Sequence, residues 1–236
     1  MAAKQYVVVG GSSGIGLCLA ERLAEAGQQV WVLSRHAPES TWREQMRWTP
    51  FDVLADDAGQ LELPETLDGV AYCPGNINLR PFRSLKPDDF RADYELNLIG
   101  AVKLLQAFSK PLQAAAASSV VLFSTVAVCQ GMPYHASVAA AKGAVEGLTR
   151  SLAAEWAPAV RVNCVAPSLT DTPLAQRLLN SEPKQQAVAQ RHALKRYGRA
   201  EDIAALAYFL LSDQASWITG QVIGVDGGLG GVRTER

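Results

Sequence analysis

The chain has 236 residues, of which 48% are hydrophobic and 19% charged, enough apolar material for a core and too much for a disordered chain. Basic residues (22) and acidic residues (23) nearly cancel, so the formal charge of -1 gives no electrostatic footprint for nucleic acid or anionic lipid. Neither nucleic acid nor a membrane is expected as a partner.

In chain order, β-branched or apolar runs at residues 6–9, 30–33, 69–72, 120–124, 160–165 and 222–225 predict buried strands. Between them apolar residues recur at helical spacing, as in Ile15, Leu19 and Leu23, and later Ile203, Leu206 and Leu210. Strands alternating with helices call for right-handed crossovers and a parallel sheet covered on both faces. The expected fold is α/β: one Rossmann-like domain over residues 1–236, a doubly wound parallel sheet of about seven strands with helices on both faces. Crossovers between residues 40 and 65 are short and predict stunted helices. Residues 173–198 are long, polar and rich in Gln and Arg. They read either as a mobile helical lid over a substrate site or as a solvated surface excursion. The tail after Gly227 is expected to fray.

Residues 1–9 carry one lysine and a short apolar stretch before a glycine cluster that interrupts any signal-peptide core. No apolar run approaches the roughly 20 residues of a bilayer span. Cys18, Cys73, Cys129 and Cys164 are widely spaced and the three histidines are scattered, so no metal site is expected. A cytoplasmic, reducing location fits this usage.

The first strand runs straight into Gly10-Gly11-Ser12-Ser13-Gly14-Ile15-Gly16, and a helix follows. Glycine is needed where the chain turns tightly and where backbone must approach a pyrophosphate closely. The helix N-terminus then offers free N–H groups and a positive dipole end to phosphate. A dinucleotide is the expected cofactor. A carboxylate ending the second strand would bind a ribose 2′-hydroxyl and repel a 2′-phosphate, but Leu33-Ser34-Arg35-His36 contains none. Arg35 is suited to grip a phosphate and Ser34 to donate to it, which favours NADP(H) over NAD(H).

Gly10, Gly14 and Gly16 match the T-G-x-x-x-G-x-G motif of the short-chain dehydrogenase/reductase family, with Val9 in place of Thr. The chain resembles that family, and particularly its 3-ketoacyl-ACP-reductase-like members, over nearly its whole length. Asp52-Val53 is similar to the adenine-contacting pair, Asn97-Leu98-Ile99-Gly100 to the central-helix segment, and residues 142–155 to the most recognisable helix. The resemblance implies a small-molecule substrate and a homo-oligomer, dimer or tetramer, built through the helices holding Lys142 and residues 203–211. It implies cofactor contacts at Gly75, Asn97, Lys142, Pro167, Thr170 and Thr172 besides the glycine turn.

It also implies catalytic roles. In the family a Tyr exchanges a proton with the substrate oxygen, and a Lys one helical turn later lowers its pKa and holds the nicotinamide ribose. A Ser and an Asn assist. Asn97 and Lys142 match, and Thr125 keeps a hydroxyl at the Ser position, but Val138 occupies the Tyr position. Val138, Ala141, Val145, Leu148 and Leu152 form one apolar stripe, so the valine packs well and donates nothing. Losing a positioned acid costs about 10²- to 10⁴-fold in rate. With Pro133 at the first helical position, Tyr134 and His135 lie one turn before Val138 and offer substitute proton donors; their bland reading is packing at the helix start. The family's N-N-A-G turn reads Tyr72-Cys73-Pro74-Gly75, and its Pro-Gly reads Pro167-Ser168. Two expectations stay open: an NADP(H)-dependent oxidoreductase with an atypical proton donor, or a weak or inactive NADP(H)-binding protein.

Overall fold

The structure is a computed structural model that describes residues 3–38 and 44–233. Seven strands form one parallel sheet: β1 (Gln5–Val9), β2 (Gln29–Ser34), β3 (Met46–Pro50), β4 (Gly69–Tyr72), β5 (Ser118–Phe123), β6 (Val160–Pro167) and, near the C-terminus, Val222–Val225. They lie in the order β3, β2, β1, β4, β5, β6 and the Val222–Val225 strand. The order reverses between β1 and β4, and such a switch opens a crevice beyond the carboxyl ends of the strands.

Side chains alternate across the sheet, so each strand feeds two cores. Val7, Val9, Val70, Val120 and Leu122 face one side. There they meet α3 (Gly100–Ala114) and α5 (Ala136–Trp156) through Leu104, Phe108 and Val145. Val8, Val30, Val32, Ala71 and Val121 face the other, against α1 (Gly14–Glu25) and α7 (Ala200–Leu211) through Leu19, Leu23, Ile203 and Leu210. A short helix, α2 (Pro87–Tyr94), runs through a π-helical turn, Glu95–Ile99, into α3. A five-residue helix, α4 (Val126–Gln130), follows β5.

The predicted strands all form, two with the expected bounds and the others shifted by one or two residues. The seventh, β3, lacks a β-branched run and sits at the sheet edge, which hides it from apolar patterning. Of the short crossovers, the described part after β3 contains only a 3₁₀ turn, Ala58–Gln60; residues 39–43 lie outside the described residues. The segment 173–198 holds a 3₁₀ turn, Pro173–Leu178, and a helix, α6 (Glu182–Arg191). A two-stranded ladder pins its base: β7 (Thr170–Asp171) pairs with β8 (Gly198–Arg199). The Val222–Val225 strand is β9. Of the tail, residues 234–236 lie outside the described residues. Among the described residues no helix is long and apolar enough to cross a membrane, and no cluster of metal-ligating side chains occurs.

Candidate functional site

The turn after β1 is tight because three glycines allow it. Gly10 and Gly14 have φ of 74° and 54°, in the left-handed region where side chains are strained. A Cβ on Gly16 would run into the carbonyl oxygen of Gly10, so the helix packs directly on the turn. Ser13 caps α1 with extended backbone and makes no side-chain cap bond, leaving first-turn N–H groups open. Ser12 and Ile15 flank it, and Gly14 rests against Thr172, whose Cγ2 would lie 3.1 Å from an added Cβ.

At the end of β2, Ser34 is buried and its hydroxyl donates to the His36 carbonyl at 2.8 Å while accepting from the Trp48 indole at 3.1 Å. Its proton points to that carbonyl, so the expected donation to a phosphate would require the hydroxyl to turn. Arg35 beside it is exposed, and no described residue pairs with it. Asp52 closes a turn by accepting from Leu54 N–H at 2.9 Å, and Val53 is buried in the core.

A cavity of about 450 Å³ opens at the carboxyl ends of the strands, bounded by Ile15, Gly75, Thr125, Val138 and Lys142 on the sheet side. Pro167, Thr170, Thr172 and the 173–198 segment close the other side. Its lining includes Lys142, Lys184, Arg191, His135 and His192, and no carboxylate among the described residues. Asn97 reaches this region from the π-helical turn. Its Nδ2 donates to the Asp93 carbonyl at 2.7 Å and to Asn76 Oδ1 at 3.0 Å, while Asn76 donates to the Asp93 carboxylate. Among the described residues Asn97 Oδ1 is buried without a partner.

Lys142 makes no hydrogen bond or ion pair with any described residue, yet it is only 8% exposed. Burial lowers its pKa to about 8. Burial pushes the Cys73 and Cys164 thiols up to about 12, which keeps them neutral. A Cβ on Gly75 would sit 3.3 Å from Asn97 Oδ1 and 3.5 Å from Lys142 Nζ. The bare glycine thus leaves a cradle beside an orphaned acceptor and an unpaired amine. Such a cradle suits a ribose: its hydroxyls would donate to Asn97 and meet Lys142.

Thr125 lines the cavity, and its Oγ1 caps α4 by accepting from Ala127 N–H at 3.3 Å, which uses a lone pair and leaves the hydroxyl proton free. Val138 is 6% exposed and lines the cavity where a tyrosine would deliver its proton. Tyr134 does not join it. The helix begins at Ala136, not Pro133, with His135 as its N-cap. Tyr134 is held at φ 69°, its carbonyl accepts from Arg80 N–H, and the residue is 58% exposed. His135 does line the cavity, with Nδ1 2.7 Å from the Pro133 carbonyl.

Two cavity residues were given no role from the sequence, where Ser168 stands out only as a departure from the family's Pro-Gly. Ser168 follows β6, and its Oγ lies 2.7 Å from Nε2 of His192, which is 3% exposed and follows α6. A lone histidine in a polar stretch, 24 residues from its partner, has no periodicity or motif to mark it.

The strand order and glycine turn define a Rossmann-like α/β protein. The family model for enoyl-(acyl carrier protein) reductases matches residues 9–230. A probable 2,4-dienoyl-CoA reductase of Bacillus subtilis is 34% identical, covering 97% of each chain. A tropinone reductase homologue of Arabidopsis thaliana is 32% identical over 97% of this chain and 92% of its own. Among solved structures, an aldohexose dehydrogenase of Thermoplasma acidophilum superposes with a TM-score of 0.88 at 27% identity, covering 99% of this chain and 98% of that one. A putative NAD(P)-dependent gluconate 5-dehydrogenase of Beutenbergia cavernae with bound NADP gives 0.87 at 28%, covering 97% of each. The chain belongs to the short-chain dehydrogenase/reductase family, whose members matched here are dehydrogenases and reductases.

Proposed function

We propose that the protein is an NADP(H)-dependent oxidoreductase that interconverts a small carbonyl compound and its alcohol, with a proton donor other than residue 138. The observation that carries this reading is the buried, unpaired Lys142 beside the orphaned Asn97 Oδ1 and bare Gly75. A buried ammonium without a partner is costly, and ribose hydroxyls would satisfy both groups. Gly10, Ser12, Ser13, Gly14, Ile15 and Gly16 would hold the pyrophosphate, and Arg35 the 2′-phosphate. Asp52 and Val53 would border the adenine. Pro167, Thr170 and Thr172 would border the nicotinamide end. When bound, the cofactor supplies or accepts a hydride. The protein's own contribution is to orient the two partners, exclude water, and move a proton to or from the substrate oxygen.

The single domain expected over residues 1–236 would use 173–198 as a lid, since eight residues from Leu174 to His192 line the cavity. A homo-oligomer in the cytoplasm completes the proposal. The α5 face offers space for a partner helix, since a Cβ on Gly147 would meet nothing within 4 Å.

Val138 favours a second reading, a non-catalytic NADP(H)-binding protein. NADPH oxidation over a panel of aldehydes and ketones, with native protein beside Val138→Tyr, separates the two. Native turnover supports the oxidoreductase; turnover in the variant alone supports the binding protein.

A further inference from the structure

Ser168 and His192 form a hydrogen-bonded pair in the cavity that Val138 and Lys142 also line. His192 is fixed on both sides. Its Nδ1 lies 2.9 Å from the Val188 carbonyl, an acceptor only, so Nδ1 carries a proton in either charge state. Its ring is packed against the chain at Gly227, where an added Cβ would lie 3.3 Å from Cδ2. Exchange therefore falls to Nε2 alone, 2.7 Å from Ser168 Oγ. With neutral imidazole, Ser168 donates to Nε2 and turns its lone pairs to the cavity. With imidazolium, Nε2 donates to Oγ and the hydroxyl proton is free to point into the cavity. The same heavy-atom geometry satisfies both states, which is what a proton relay needs.

We propose that Ser168, backed by His192, exchanges the proton with the substrate oxygen that residue 138 cannot. The proposal rests on the oxidoreductase reading above. In reduction, the hydride of reduced nicotinamide forms the new C–H bond at the carbonyl carbon as the C=O π pair moves to oxygen. That oxygen takes the Ser168 proton, Oγ takes the Nε2 proton of imidazolium, and, once product leaves, a proton from cavity water returns to Nε2 through Oγ. One carbonyl, one reduced cofactor and one proton give one alcohol and one oxidised cofactor; oxidation runs the reverse. Lys142, Lys184 and Arg191 are the other charged groups lining the cavity, and Asp226, adjacent to Gly227, is occupied by the N–H groups of Gly228 and Gly230.

One readout needs no cofactor. In ¹⁵N-histidine-labelled protein, the signals lost in His192→Gln belong to the Nδ1–H tautomer at alkaline pH, and Ser168→Ala moves the Nε2 resonance. An Nε2–H tautomer overturns the relay. The second readout is NADPH oxidation with para-nitrobenzaldehyde and cyclohexanone. Ser168→Ala and His192→Gln each lower kcat about 10²- to 10⁴-fold while NADPH affinity, read by fluorescence, stays within about twofold. Ser168→Thr keeps the hydroxyl and retains part of the rate, and Val138→Tyr added to Ser168→Ala recovers at least about tenfold. Native rates in both single variants, or a larger loss in His135→Ala than in His192→Gln, overturn the relay and leave the oxidoreductase reading standing. Native protein that binds NADPH but turns over only as Val138→Tyr also overturns it. Absence of NADPH binding defeats the oxidoreductase reading and the relay together.

Discussion

Replacing Lys142 with methionine should make the protein more stable near neutral pH. The side chain is buried, unpaired, and its pKa falls from 10.5 to about 8 because burial disfavours the charged form. Between those values the unfolded chain binds more protons than the folded one, so stability rises with pH across that window. The penalty is fully present below about pH 8 and gone above the unfolded value. At about 1.4 kcal/mol per pH unit, the depression amounts to about 3 kcal/mol. Methionine keeps the length and apolar stem of lysine while removing the charge. Urea unfolding followed by the five tryptophans should place Lys142→Met about 2–3 kcal/mol above the native protein at pH 7. The gap should close as pH approaches 10. A variant that is no more stable at pH 7, or a gap that does not change with pH, refutes the reasoning. A charge kept in the fold at that cost implies a use for it, and the same variant should bind NADPH at least about tenfold more weakly.

Gly16→Ala forces a methyl into the Gly10 backbone, so thermal unfolding should report a loss of about 1–3 kcal/mol together with lost NADPH binding. An unshifted melting temperature would contradict the packing described for the turn. Gly75→Ala fills the cradle beside Asn97 and Lys142 and should weaken NADPH binding with little change in stability; full affinity in a calorimetric titration would place the ribose elsewhere. In gel filtration the protein should elute well above its 25.3 kDa monomer mass; elution as a monomer at micromolar concentration contradicts the oligomer.

The sheet was legible because buried parallel strands are continuous apolar runs, as in Val7 to Val9 and Val120 to Leu122. The edge strand β3 was not, since Arg47 is exposed, Trp48 and Thr49 are half-buried, and no such run forms. The glycine turn was legible from what a tight strand-to-helix junction demands of the backbone, whereas Asn97, Thr125 and Lys142 were placed only by the family resemblance. Tyr134 was misplaced by a helix start three residues late, Ala136 instead of Pro133, which turns its ring outward. Ser168 and His192 were out of reach for a different reason. Their meeting depends on how the 173–198 segment folds back over β6, and no local pattern encodes that.

The most direct test of the account is a side-by-side titration of the purified protein with NADPH and NADH, repeated on Arg35→Ala. NADPH should bind the native protein at least about tenfold more tightly than NADH, and Arg35→Ala should remove most of that preference while leaving NADH affinity alone. Binding of neither nucleotide, or equal affinities that Arg35→Ala leaves unchanged, would contradict the proposed cofactor and the function built on it.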